Sequence, residues 1–178
     1  IHDKFEFMNK FRILCAKRNG IYGVNNINRI IMEYYFGPQS RYADGMPIMI
    51  TSNDHRLKLY NGDVGIVRQE GKYQKIYFPD TKNQGEFRYY NPNQLPEHEP
   101  VFAMTIHKSQ GSGFQKVLIV LPDRDSQLLT RELLYTAVTR AENQCEIWGY
   151  DSIIKKCITR KTKRDSGLKD KLFQFSPV

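Results

Sequence analysis

Cysteine is scarce in this 178-residue chain. Cys15, Cys145 and Cys157 are an odd number with no C-x-x-C spacing, and Cys15 and Cys145 sit in apolar strand-like runs, which argues against a disulfide framework. A reducing compartment, the cytoplasm, is the expectation. Long apolar runs are also missing: the longest, Val117 to Leu121, falls far short of the roughly 20 residues a spanning helix needs, so no membrane partner is expected. The opening IHDKFEFMNK holds no apolar h-region and no small-residue cleavage site, which argues against secretion. His2, His55, His98 and His107 are scattered with no second ligand at metal spacing, so no metal site is expected. There is no G-x-x-x-x-G-K-[ST] loop, because the only Gly-Lys pair is Gly71-Lys72 and the required upstream glycine is Ile66. Ser109 lacks a G-x-S-x-G context, and no acidic cluster suits a two-metal nuclease.

What is present is basic. Lysine and arginine number 27 against 19 acids, a net charge of +8, with a pI near 9.4 and a mean hydropathy of -0.59. These values describe an ordinary globular chain that favours polyanionic partners. Residues 151–178 hold eight bases against three acids. That segment reads equally as a solvated face or as a phosphate-binding stripe.

The expected fold class is α/β. FRILCA (Phe11 to Ala16) reads as a buried strand and Val24 to Tyr35 as a helix. Val24, Ile27, Ile30, Ile31 and Tyr34 would share one face of that helix, and Gly37-Pro38 would stop it. From Gly45 to about Pro96 the runs MPIMIT, VGIVRQ, KYQKIYF and EFRYY, separated by tight turns, suggest a small antiparallel barrel. Its aromatics, Tyr73, Tyr77, Phe78, Phe87, Tyr89 and Tyr90, read either as a base-stacking platform or as cross-strand packing. VFAMTI and KVLIVLP return to buried strands. Thr130 to Glu142 is expected as a helix capped by Thr130, broken at Asn143, and CEIW as a last strand.

The segment Thr105-Ile106-His107-Lys108-Ser109-Gln110-Gly111-Ser112-Gly113 follows a buried strand, the position where open α/β sheets bind ligands. Its small, donor-rich residues suit phosphate oxygens. The plainer reading is a merely polar loop. Arg140, expected at the last turn of a helix with an apolar face, is either a structural ion-pair partner or a planar cation aimed across a cleft.

The order AKRNGIYGVNNIN, YNGDVGIV, LPEHEPVFAMTIHKSQGSGF, TRELLYTAVTRA resembles the C-terminal part of RecD-type proteins, alpha subunits of exodeoxyribonuclease V, from about Phe11 to Phe173. The resemblance implies a superfamily-1 DNA helicase moving 5′ to 3′, with two RecA-like motor domains clamping ATP and Mg²⁺, in double-strand-break processing. Residues 1–44 and 97–150 would then form the second RecA-like domain, residues 45–96 an inserted Src-homology-type barrel, and residues 151–178 a basic C-terminal segment. It further implies that Arg140 and Arg18 reach the γ-phosphate, with Gln110 and Gly111 on the nucleotide side. Thr105, His107, Lys108 and Ser109 would line the single-strand groove. Implied partners are single-stranded DNA, RecB-like and RecC-like subunits, the latter assembly carrying its nuclease on another subunit, and an N-terminal motor domain that holds most of the ATP and Mg²⁺. Related sequences commonly end this loop in Gly-Ser-Glu-Phe, whereas this one reads Gly111-Ser112-Gly113-Phe114, which leaves no carboxylate there for a ribose. Without a phosphate loop the isolated chain is expected to be inactive. Alternatives are a stand-alone RecD-like, relaxase-associated or Pif-type helicase, or a non-catalytic DNA- or subunit-docking module.

Overall fold

The computed structural model describes residues 1–38, 40–80, 82–83 and 85–162. In chain order these form α1 (His2–Lys10), β1 (Phe11–Cys15), α2 (Val24–Phe36), β2 (Pro47–Ile50), β3 (Val64–Glu70), β4 (Tyr73–Pro79), β5 (Phe87–Tyr90), β6 (His98–Pro100), β7 (Ala103–Thr105), β8 (Phe114–Val120), α3 (Arg131–Val138), β9 (Ala141–Trp148) and α4 (Asp151–Thr159).

A parallel sheet ordered β7-β1-β8-β9 carries the α/β part. Its inner strands β1 and β8 bury apolar residues on both faces, as strands covered by helices must, while the edge strand β9 is largely exposed. Leu14, Met104, Val117 and Ile119 pack against Leu133 and Ala137 of α3 and Ile153 and Cys157 of α4. The alternate residues Cys15, Ala103, Leu118 and Val120 pack on the other side with Val24 and Ile27 of α2. The two-residue period of each strand thus feeds two layers of helix.

A second sheet, ordered β5-β4-β3-β2-β6, is antiparallel throughout. Its core holds Met46, Ile48, Ile50, Val67, Ile76 and Phe78, and α2 reaches it through Met32 and Phe36. Sequence reading finds four of its strands and misses β6, whose HEP triplet has no strand pattern.

Three helix expectations change. The helix from Thr130 keeps its cap, the Thr130 hydroxyl accepting from Leu133 N, but ends at Val138, because residues 141–148 pair along β8 from Phe114 opposite Ala141. Sheet pairing overrides local helical preference there, so Asn143 lies within a strand and Arg140 in a turn. On α2, Asn28 is buried while Ile30 and Tyr34 are exposed, so the inward face is rotated from the apolar one expected. The first ten residues, given no element from sequence, form α1, tied down by Lys4 to Asp44 at 2.6 Å and by Phe5 stacked on Phe87.

The turn from β1 to α2 needs glycine at position 23. A Cβ there would lie 2.6 Å from the Asn19 carbonyl carbon and oxygen. All three cysteines are free, Cys15 and Cys157 being buried. Burial pushes the Cys15 thiol up to about 12.

Of the basic C-terminal segment, residues 151–162 are described, and Lys163, Arg164, Lys169 and Lys171 lie outside the described residues. What is described is partly committed to structure. Arg160 grips Asp125 with two 2.8 Å hydrogen bonds and donates to the Ser126 carbonyl. Thr162 donates to Glu132 through its amide at 3.0 Å and its hydroxyl at 2.9 Å. Glu132's own backbone amide and then Thr162 hold that carboxyl down to about 2 from an ordinary 4.5. A depressed carboxyl stabilises the fold above its unfolded value and loses that contribution as pH falls through the folded one. Glu132→Gln is therefore expected to flatten acid unfolding between about pH 4.5 and 2. A superimposable acid-unfolding curve followed by circular dichroism would contradict this.

Candidate functional site

The loop after β7 is built by its own short hydrogen bonds. Residues 107–109 form a single 3-10 turn, with the Thr105 hydroxyl accepting from Lys108 N at 3.3 Å. Ser109 is wholly buried and its hydroxyl donates to the Ile106 carbonyl at 2.7 Å. Ser109 thus secures the turn and does not present its hydroxyl to a ligand. His107, Lys108, Gln110 and Gly111 are exposed, Gly111 at φ +86, and Thr105 is half-buried. These exposed donors follow the carboxyl end of β7, beside the loop that follows β1.

Arg18 lies in that neighbouring loop and is not free. Its guanidinium grips both oxygens of Glu99 on β6, the Nη1 contact measuring 3.2 Å. Lys108 Nζ donates to the same Glu99 at 3.3 Å. Desolvation would raise the Glu99 carboxyl, but the hydrogen bonds and charges of Arg18 and Lys108 outweigh it and hold the group below its ordinary value. Glu99 in turn raises the Arg18 guanidinium, by hydrogen bonding and then by charge. No local pattern marks Glu99, since it stands 81 residues from Arg18.

Arg140 occupies a different corner. Its carbonyl accepts from Phe114 N at 2.9 Å, so it precedes the amino end of β9, whereas Arg18 follows the carboxyl end of β1. The two backbones therefore leave opposite ends of the parallel sheet. Arg140 Nη1 donates to the Ser112 carbonyl at 3.0 Å and Nε to the Thr136 carbonyl at 3.3 Å. These bonds fix the guanidinium in the seam between the loop's end and the start of β9. Among the described residues Arg140 forms no ion pair, in contrast to Arg18, Arg29 and Arg160. Gly113 lies in the same seam, and a Cβ on it would stand 2.8 Å from Glu142 Oε1. The carboxylate beside Gly113 thus comes from β9.

The aromatic platform is divided. Phe78 is core, Phe87 stacks on Phe5 with centroids 5.1 Å apart, and the Tyr90 hydroxyl donates to the Leu57 carbonyl. Tyr73 and Tyr89 are exposed, with Lys75 Nζ 4.2 Å above the Tyr89 ring. No group of three or more His, Cys, Asp or Glu side chains gathers at metal-binding distance among the described residues. No helix of the described residues is long and apolar enough to cross a membrane.

Residues 100–147 match the family described as the UvrD-like helicase C-terminal domain. The chain is 40% identical over 90% of its length to RecBCD enzyme subunit RecD of Haemophilus influenzae, covering 24% of that protein. It is 38% identical over 93% of its length to the same subunit of Mycolicibacterium smegmatis, covering 30% of it. The chain thus spans less than a third of the length of these curated relatives. A solved structure of the Pif1 helicase from Bacteroides in complex with ADP-AlF3 and ssDNA superposes with a TM-score of 0.55 at 19% identity, covering 94% of this chain and 45% of that one. That likeness is one of fold: mixed α/β with a parallel sheet, similar to helicase RecA-like domains.

Proposed function

The chain is a RecD-like helicase C-terminal region, and on that premise we propose that it is the second motor domain of an ATP-driven 5′ to 3′ DNA helicase. The parent protein would be the alpha subunit of an exodeoxyribonuclease V, working with RecB-like and RecC-like subunits in recombinational double-strand-break repair in the cytoplasm. Residues 1–44 and 97–150 form the motor domain in this reading, and residues 45–96, whose antiparallel sheet is extended by β6, form a Src-homology-type barrel. ATP and Mg²⁺ would be held mainly by an N-terminal motor domain of the same parent, with this chain closing over the phosphates.

One observation carries the reading. Arg140 is oriented by the Ser112 and Thr136 carbonyls and forms no ion pair among the described residues. Of the two roles open to an arginine at this point, we favour the cation aimed across a cleft, since the hydrogen bonds found for it among the described residues go to neutral oxygens. A fixed guanidinium whose charge is not neutralised can stabilise the charge that develops on a transferring phosphoryl group. Mg²⁺, held mainly by the N-terminal motor domain in this reading, would supply further neutralisation of phosphate charge. Arg140 would donate to the γ-phosphate oxygens as the bond to the leaving oxygen lengthens, and Arg18, rooted at the opposite end of the sheet, would add a second cation to the nucleotide only once released from Glu99 and with the two motor domains closed. Gln110 and Gly111 would face the nucleotide, and Thr105, His107 and Lys108 would contact single-stranded DNA, with Ser109 supporting the turn beneath them.

The test is directional unwinding by the full-length parent, with its partner subunits where they exist, beside the 178-residue chain alone. Unwinding of 5′-tailed duplexes and no ATP turnover by the chain alone are expected. Turnover by the isolated chain, or a 3′-tail preference of the parent, would contradict the reading.

A further inference from the structure

Glu99 stands where the two sheets meet. Its strand pairs with β2, Met49 opposite Glu99. The residues just after it are held from the other side by Asn28 of α2, which donates to the Pro100 and Ala103 carbonyls. With its backbone fixed from both sides, the Glu99 carboxylate is free to move only by side-chain torsion. Its Oε1 accepts from Arg18 Nη1 at 3.2 Å and from Lys108 Nζ at 3.3 Å, while Oε2 accepts from Arg18 Nη2. The Glu99 side chain is only 20% exposed, so the charge is poorly placed to trade its partners for water.

We propose that Glu99 is a positioning residue that couples the nucleotide and DNA sites by holding Arg18 and Lys108 in competition with phosphate. This rests on the reading that Arg18 faces ATP and Lys108 faces DNA. When a nucleotide phosphate takes Arg18, Glu99 loses its two-pronged partner and turns wholly to Lys108. Lys108 then has less to offer a DNA phosphate. The sign is therefore antagonistic: nucleotide weakens the grip on single-stranded DNA, and by linkage DNA weakens the grip on nucleotide to the same degree.

The test measures the affinity of the full-length parent for a fluorescent oligothymidylate, with and without a non-hydrolysable ATP analogue. Wild type is compared with Glu99→Gln and with Glu97→Gln, an exposed neighbour that removes the same charge. The analogue is expected to weaken wild-type DNA binding, and Glu99→Gln to abolish most of that ratio while tightening nucleotide-free DNA binding about threefold, the scale of a partly screened ion pair. Glu97→Gln should keep the wild-type ratio. An unchanged ratio in Glu99→Gln overturns the proposal, as does an equal loss in Glu97→Gln, which would make the effect one of bulk charge. Arg18→Ala that leaves analogue affinity unchanged would instead overturn the placing of Arg18 at the nucleotide, and the coupling with it. Should Glu99→Gln melt early, Glu99→Asp keeps the charge but shortens its reach, and is expected to lose the ratio in the same way.

Discussion

Arg140→Ala in the full-length parent is expected to cut DNA-stimulated ATP hydrolysis by about 10³ to 10⁵, while binding of single-stranded DNA survives. That loss corresponds to roughly 4–7 kcal/mol of barrier. What the side chain does not do keeps that loss separable from unfolding. Its hydrogen bonds among the described residues go to the neutral Ser112 and Thr136 carbonyls and the Thr139 hydroxyl, so truncation breaks no ion pair and leaves no buried carboxylate unpaired among them. The stability cost should be small, and a melting temperature near wild type would separate lost chemistry from lost structure. Arg140→Lys keeps the charge but not the fork that spans Ser112 and Thr136, and is expected to recover only a small part of the rate. Wild-type turnover in Arg140→Ala would remove the arginine from the chemistry.

Asn28→Ala is expected to destabilise the chain by about 3 kcal/mol, the largest stability effect foreseen. The buried Asn28 amide donates to the Pro100 carbonyl at 2.9 Å and the Ala103 carbonyl at 3.1 Å, and its oxygen accepts from Ala103 N at 2.7 Å. Those groups lie between β6 and β7, where the antiparallel sheet hands the chain to the parallel one. Truncation leaves an amide and two carbonyls short of partners inside the fold, and each carries a desolvation penalty. The same residues position Glu99, so the Arg18 and Lys108 contacts should loosen too. Urea unfolding followed by circular dichroism measures the effect, and an unchanged midpoint would show that the segment is secured elsewhere.

Asn28 also marks where sequence reading fails. On an amphipathic helix a polar residue reads as solvent-facing, and only the unpaired backbone of residues 100–103, about 72 to 75 positions away, calls it inward. With Asn28 on the inward face beside Val24 and Ile27, Ile30 and Tyr34 are exposed. Glu99 is hidden for the same reason, because the partner that gives it meaning is distant in sequence. By contrast, FRILC, FQKVLIV and the hairpin strands are legible because alternating or continuous apolar residues encode burial locally. The donor-rich loop after β7 is legible as a candidate site from its composition and its place after a buried strand. Its internal division is not, since the chemistry of Ser109 fits a ligand contact equally well and only packing turns its hydroxyl to Ile106. Arg140 is found by motif but assigned to a helix, because the pairing of Phe114 with Ala141 that ends the helix is a long-range event.

In this reading Arg140 acts on the phosphoryl group as it transfers and adds little to holding ATP beforehand. The direct measurement is the affinity of the full-length parent, bound to single-stranded DNA, for a non-hydrolysable ATP analogue and for ADP with aluminium fluoride, in wild type and Arg140→Ala. An interaction made mainly in the transition state predicts analogue affinity within about threefold of wild type and aluminium fluoride affinity weakened by roughly 100-fold or more. Equal weakening of both complexes, or of neither, would contradict it.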